Sequence, residues 1–444
     1  MMKFLYTSAI LVIAILGLSN LVGCQNSNSS EILDQENSIE IANESEVVLH
    51  FGSSESAMPE NSIVRDLALS FEEETGIHIE FETIPDAQWR DYLKAELISG
   101  TAPDVFASDA DPFSLYEKIR PNINCIDLSD EAFISRMDQS VLPSISYEGH
   151  PYGISFVGTK IWVYSYNKEI FERLDLEIPT NYEELKTVCQ AIKDDGIVPM
   201  WQMPQIGWHQ VLPLFEVGPM YNAAYEDLYD KLNTNQMDVE EIPELLTVIQ
   251  QINEFSELGF YGDDFFGNTD DMEAAAFAEG RLAMTLEEIG WSNELIEEYP
   301  EMSGKIGIFI MPWGGNQILG VNPTSDAYFG NANSVYEEEI LEFFRFLTRN
   351  DNLQKRLDGE PKLLKLCWPE IDDKYPEEYA KYLEGFSTGN VFQVSVSYID
   401  SQWMDIGKDI EEMYAGNLTP EEVLAGISRR RTELAKVFGD PYWE

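Results

Sequence analysis

Positive charge is scarce in this 444-residue chain: 28 Lys and Arg stand against 80 Asp and Glu, a formal net charge of −52. A phosphate backbone needs Lys and Arg to neutralise it, so the balance excludes nucleic acid as a partner. It also disfavours adsorption to anionic lipid headgroups, which leaves hydrophobic or covalent attachment as the route to a membrane. Histidine is rarer still. His50, His78, His150 and His209 form neither a zinc helix motif nor a Cys–His arrangement. Of the four cysteines, Cys125, Cys189 and Cys367 are widely spaced, an odd set that cannot all pair, and buried free thiols are the plainer reading. No G-x-S-x-G, P-loop or dinucleotide fingerprint occurs, and no metal or cofactor is expected. Repeats and coiled-coil heptads are absent as well.

What is present is enough chain for two or three domains. A content of 44% hydrophobic and 12% aromatic residues argues against intrinsic disorder. Lys3, the nearly uninterrupted apolar run from Phe4 to Leu18 and the small residues after it read as a secretory signal over residues 1–23. The stretch Leu21-Val22-Gly23-Cys24 resembles the bacterial lipobox, in which the cysteine is lipidated and becomes the first mature residue. That resemblance implies a diacylglycerol thioether on Cys24, each buried methylene adding about 0.8 kcal/mol of membrane affinity. An ordinary cleaved signal or a single transmembrane anchor is the alternative. Residues 24–45, rich in Ser, Asn and Glu, read as a flexible tether.

The body opens with a short apolar strand at Val47–Phe51 and a loop at Gly52-Ser53-Ser54. Val64, Leu67, Ala68 and Phe71 then recur at helical spacing, and Gly76 closes that helix. Ile77 to Glu82 alternates as a half-exposed strand, Trp89 to Ile98 is helical, and Val105-Phe106-Ala107 is apolar again. This β-α-β-α-β order predicts parallel strands with crossover helices. A second set begins near Tyr152, with a strand over Ile161–Tyr166, a helix over Lys168–Leu174 and a capping box at Asn181 to Glu184. Helices are expected over Ile242–Leu258, Met272–Glu279 and Trp291–Tyr299, with a strand at Ile306–Met311. Near the end Thr419-Pro420-Glu421-Glu422 sets Pro at the first helical position inside another capping box. Two α/β lobes account for this pattern most simply.

Several segments resemble, in order, the extracellular solute-binding proteins of bacterial ATP-binding-cassette importers that carry sugars. They are Phe71 to Ile77, Ser99-Gly100-Thr101-Ala102-Pro103-Asp104-Val105, Tyr152 to Phe156, Tyr166-Asn167-Lys168-Glu169-Ile170-Phe171, Pro179 to Leu185, Phe277 to Met284 and Thr419 to Leu424. Ser155 stands where the family usually has proline, and the usual strand around Ser325 to Asn333 is poorly recognisable. The resemblance implies a two-lobed, periplasmic-binding-protein-like α/β fold, with a hinge and a central ligand cleft. One lobe would comprise residues 46–157 and 316–358, the other 158–315 and 359–444. It also implies permease transmembrane subunits as partners, a sugar or oligosaccharide ligand and a monomer held outside the cell by its lipid. A lipid tether suits an envelope with no outer membrane, so a Gram-positive cell is favoured.

Sugars present apolar ring faces rimmed by hydroxyls, so a site wants flat aromatics beside carboxylates or amides. Ligands of open α/β sheets bind beyond the carboxyl ends of strands. Glu55 follows the first strand and is a ligand candidate or a solvated loop carboxylate. Asp109 and Asp111 follow the Val105 strand, where they accept sugar hydroxyls or cap a helix starting near Pro112. Trp201 and Trp208 lie in the loop WQMPQIGWH, and Glu287 and Trp291 follow a strand at Ala283-Met284-Thr285. Trp313 precedes two glycines that allow close ligand approach or merely a turn. Trp403, flanked by Ser401 and Gln402, matches a family position near the cleft mouth. Core packing is the alternative for each tryptophan.

Two other functions compete. A glycoside hydrolase needs paired carboxylates about 5–10 Å apart, which 80 acidic residues can supply by chance. A binding protein for a polyamine or other cation would also use aromatics and carboxylates. Uronates are less suited, since Lys160 and Arg281 are the nearest cations to the candidate loops.

Overall fold

The computed structural model describes residues 47–112, 115–157, 159–323 and 325–443. The expected signal, Cys24 and the tether lie outside the described residues. No helix among the described residues is long and apolar enough to cross a membrane.

Local chemistry explains the first elements. The helix Ile63–Thr75 starts where the Ser62 hydroxyl accepts the Val64 N–H and stops at Gly76, whose φ of 77° requires the left-handed conformation that glycine adopts without strain. It buries Val64, Leu67, Ala68 and Phe71, the stripe legible in the sequence. The Thr419 capping box forms in full at the head of the Pro420–Val437 helix. The Asn181 box forms only by half. Its side chain accepts the Glu184 N–H, but the Glu184 carboxylate turns back to the Thr180 N–H and hydroxyl.

Two sheets organise the body. In the first, the strands run in the order His78–Ile84, Val48–Ser54, Val105–Ala110, Ser325–Gly330 and Gly153–Ser155. The first three are parallel, and Ser325–Gly330 is antiparallel to both its neighbours. In the second, the order is Ile306–Phe309, Trp162–Asn167, Leu282–Glu288 and Val198–Met200, with Trp162–Asn167 antiparallel to its two neighbours. Ser325–Gly330 is the strand the sequence hid. Its sequence, SDAYFG, carries a Gly and two polar residues in place of the usual aliphatic run.

Each sheet has its own core. Phe51, Phe71, Phe106, Phe156, Phe329 and Phe343 belong to the first, and Tyr164, Phe215, Phe255, Phe309 and Trp313 to the second. The first core also takes in Leu363, Leu366, Cys367, Trp368 and Ile371, beyond residue 358 where the sequence pattern ends that segment. Within the expected 316–358 segment, Leu319–Val321 pairs instead with Thr388–Asn390. Three passages of chain join the lobes side by side. Lys160 and Asn322 exchange backbone hydrogen bonds of 2.9 Å each, and the Cys367 N–H donates to Phe156 O at 2.9 Å. Cys125, Cys189 and Cys367 are buried free thiols.

One buried group carries a stability prediction. Glu216, 3% exposed at the end of the Leu212–Glu216 helix, has no hydrogen-bond partner for either carboxylate oxygen among the described residues. Burial first, and then the charge of Glu288, push its pKa well above the ordinary 4.5. The folded state thus holds a proton that the unfolded chain releases. The contribution of this group to stability is complete below about 4.5 and falls as pH rises toward the raised folded value. Glu216→Gln should melt a few degrees higher than the parent at pH 8, and the gain should vanish by pH 4 in thermal melts followed by circular dichroism.

Candidate functional site

Chain direction fixes where a ligand can lie. Ser54, Ile84, Ala110 and Ser155 end strands of the first sheet, and Ser155 leads directly into the first passage between lobes. On the other side of that passage Trp162 begins its strand paired with Glu288, near the end of Leu282–Glu288. The carboxyl ends of both sheets therefore meet at the hinge, the position where open α/β sheets take ligands.

On the first lobe, the Trp89 indole N–H donates to Ala107 O at 3.1 Å and locks the Asp86–Ser99 helix against its strand. The next residue, Arg90, reaches Asp109 at 2.5 Å, and its guanidinium lies 5.0 Å from the centre of the Trp403 ring. Burial works to raise the Asp109 pKa, but Arg90, with Lys118 and Lys160, outweighs it and holds the carboxyl far below its usual range. Lys118, on the short Leu115–Ile119 helix, lies 3.0 Å from Asp111 and 2.9 Å from Asp400. Burial opposes its charge, yet Asp400 and then Asp111 win and raise its pKa. Beside it Glu117 meets the Ser401 hydroxyl at 3.2 Å. Burial, helped by Asp111 and Asp400 against the pull of Ser401 and Lys118, pushes Glu117 up to about 7.

On the second lobe the loop WQMPQIGWH is pinned at both ends. The Trp201 backbone N–H donates to Met284 O at 3.1 Å, and the buried His209 donates from Nε2 to Leu286 O at 2.9 Å. Nδ1 of His209 lies 2.7 Å from the Gln202 side chain, and burial pushes the ring's pKa down to about 4, so it is neutral at pH 7. Between these pins Trp208 is half-buried, edge-on to Trp162 at 5.6 Å. Trp201 is buried, and its indole N–H has no hydrogen-bond partner among the described residues. Trp291, edge-on to Phe277 at 5.1 Å, lines a cavity of about 390 Å³ with Glu273, Glu287, Glu294 and Lys362.

The expected residues thus separate. Asp109, Asp111 and Trp403 converge at the lobe junction, Trp208 joins Trp162, and Glu287 joins Trp291. Glu55 is exposed beyond its strand, its N–H donating to Ile84 O at 3.0 Å. Trp313 is a correction. It is fully buried, its indole N–H donates to the Tyr164 hydroxyl at 2.8 Å, and its ring packs against Phe255 at 4.7 Å. Protein fills the space a sugar would need, and Gly314 and Gly315, with φ of 63° and 81°, make a turn. Sequence reasoning missed Arg90, Glu117, Lys118, Trp162, Asp400 and Lys362. Only scarcity could have flagged Arg90 and Lys118, as two of 28 cations in the chain.

The sequence profile described as bacterial extracellular solute-binding protein matches residues 55–354. No curated protein matches the chain. Among solved structures, one from work on xylan utilisation by the thermophilic bacterium Caldanaerobius polysaccharolyticus is 18% identical, with a TM-score of 0.72 over 86% of this chain and 100% of its own. A chitin oligosaccharide binding protein is 19% identical, with a TM-score of 0.71 over 85% of this chain and 95% of its own. A Bacillus licheniformis sugar transporter in complex with stachyose is 19% identical, with a TM-score of 0.69 over 87% of this chain and 100% of its own.

Glu117 gives this site a pH signature. Its folded pKa exceeds the ordinary 4.5, so its contribution to stability is complete below about 4.5 and is lost as pH rises through about 7. Carboxyl-carbon NMR should show one resonance titrating near pH 7 that is missing in Glu117→Gln. If Glu117→Gln removes no resonance titrating above about pH 5.5, the electrostatic account of the junction is wrong.

Proposed function

Because the chain belongs to the bacterial extracellular solute-binding proteins, its family profile covering residues 55–354, we propose that it captures a neutral sugar or oligosaccharide between its lobes and delivers it unaltered to the permease of an ATP-binding-cassette importer. The observation that carries this reading is the meeting of both sheets' carboxyl ends at a three-stranded hinge, lined with indoles and carboxylates. A ligand that touches both lobes only when they close shifts the hinge equilibrium by that differential affinity, which lets a permease distinguish loaded from empty protein. The xylan, chitin oligosaccharide and stachyose connections of the similar structures support carbohydrate as the class. Anchoring through a lipidated Cys24, with residues 24–45 as tether, places capture at the outer face of the membrane.

Charge bears on the choice of ligand. Arg90 is paired with Asp109, Lys118 with Asp111 and Asp400, and Lys362 with Glu294 at 2.7 Å. A uronate would have to compete with these carboxylates, whereas hydroxyls need only acceptors and donors at the rim. The carboxylates around the Trp291 cavity favour one second reading, a ligand bearing an amine. The family consists of binding proteins, so an oligosaccharide should stay intact on prolonged incubation.

Titration calorimetry with neutral oligosaccharides, polyamines and uronates decides among these. Binding of a neutral member is expected, and binding confined to polyamines would overturn the carbohydrate reading. Trp208→Ala and Trp291→Ala should each weaken the best ligand by about 1–3 kcal/mol, the cost of a lost aromatic anchor. Affinity within twofold of the parent in both variants would remove these indoles from the site.

A further inference from the structure

The lobe junction holds an ion-pair network that the capture of a sugar does not require. Lys118 extends from a helix whose Leu115 and Ile119 are rooted in the first core, whereas Asp400 follows Ile399, a member of the second core. The Lys118 ammonium lies 3.0 Å from Asp111 in its own lobe and 2.9 Å from Asp400 in the other. Asp111 and Asp400 are both almost fully buried, and the Gln393 amide donates to the second Asp400 oxygen at 2.5 Å. Two more contacts span the same boundary, Glu117 with the Ser401 hydroxyl and Arg90 over the Trp403 ring. All of these partners on the second lobe fall within residues 400–403, at the start of the Trp403–Tyr414 helix.

We propose that Lys118 is an interlobe latch: shared between Asp111 and Asp400, it holds the lobes together by protein contacts alone, with Arg90 on Trp403 as a second arm. The asymmetry of the network makes it a latch and not a weld. On opening, Lys118 keeps Asp111 and Asp400 keeps Gln393, and water replaces the Lys118–Asp400 contact. A buried pair broken in this way is exchanged for hydration of both ions, so the balance is tunable and not prohibitive. The latch sets how much of the closed form exists before any ligand binds, and hence how much of the ligand's affinity is spent on closure. It also explains why two scarce cations sit at the junction: without them Asp109, Asp111 and Asp400 would repel across it.

The proposal rests on the two-lobed fold and not on the carbohydrate reading, and its test adds no ligand. Small-angle scattering and amide hydrogen exchange are compared for the full chain, Asp400→Asn and Arg90→Met. Asp400→Asn keeps the size of the side chain and leaves the Lys118–Asp111 pair in place. It should increase the radius of gyration and speed exchange in peptides covering residues 115–120 and 399–403 about tenfold, with exchange in both cores unchanged. Arg90→Met, at a partly exposed position, removes the contact with the Trp403 ring and should move both readouts the same way by less. A radius and exchange pattern equal to the parent's in Asp400→Asn overturns the latch. If Asp400→Asn lacks a cooperative melt, Arg90→Met becomes the deciding variant, and a parent-like result there overturns the latch equally.

Discussion

Where the chain crosses between lobes decides almost everything else about this molecule. The exchange of backbone hydrogen bonds between Lys160 and Asn322, and the Cys367 N–H on Phe156 O, tie three passages into one narrow strap. Because Gly153–Ser155 runs into the strap and Ser325–Gly330 runs out of it, the carboxyl ends of the first sheet must face it. The antiparallel Trp162–Asn167 strand imposes the same condition on the second sheet. A cleft at the strap follows from strand direction before any side chain is considered. So does the hinge, since a few backbone bonds resist rotation far less than either packed core resists deformation.

Charge then gives the cleft its character. In a chain with so large an acidic excess, the junction cations are held by carboxylates, Lys118 by Asp111 and Asp400 and Arg90 by Asp109. The junction is consequently rich in ions yet nearly balanced, and it offers a ligand acceptors and indole faces more readily than unpaired positive charge. Neutral, hydroxylated molecules suit such a surface.

The fold was legible wherever periodicity and capping chemistry agree. The Val64-Leu67-Ala68-Phe71 stripe with its Gly76 stop, and the Thr419-Pro420-Glu422 box, mark elements whose limits the structure matches within a residue or two. Ser325–Gly330 escaped because its place in the sheet depends on tertiary pairing with Val105–Ala110, which a short polar sequence does not advertise. Strand ends offered Asp109, Asp111, Trp201, Trp208, Glu287 and Trp291 as candidates. The structure sets Asp109 and Asp111 near the lobe junction, Trp208 against Trp162 and Glu287 with Trp291 on one cavity, and buries Trp201. Trp313 misled because a tryptophan before two glycines looks alike whether its ring meets a ligand or Phe255 and Tyr182. Arg90, Lys118 and Asp400 stayed hidden for a different reason. Lys118 meets Asp400, and Arg90 meets Trp403, across most of the length of the chain, and no local pattern encodes such pairs.

The central claim is that a solute is gripped between the carboxyl ends of both sheets. A crystal structure grown with the tightest-binding member of a carbohydrate panel tests it most directly. The account predicts sugar density at the strap that contacts the Asp109–Asp111 side of one lobe and at least one of Trp208, Trp291 and Trp403 on the other. Density touching a single lobe, or lying on an outer face away from the strap, would contradict it.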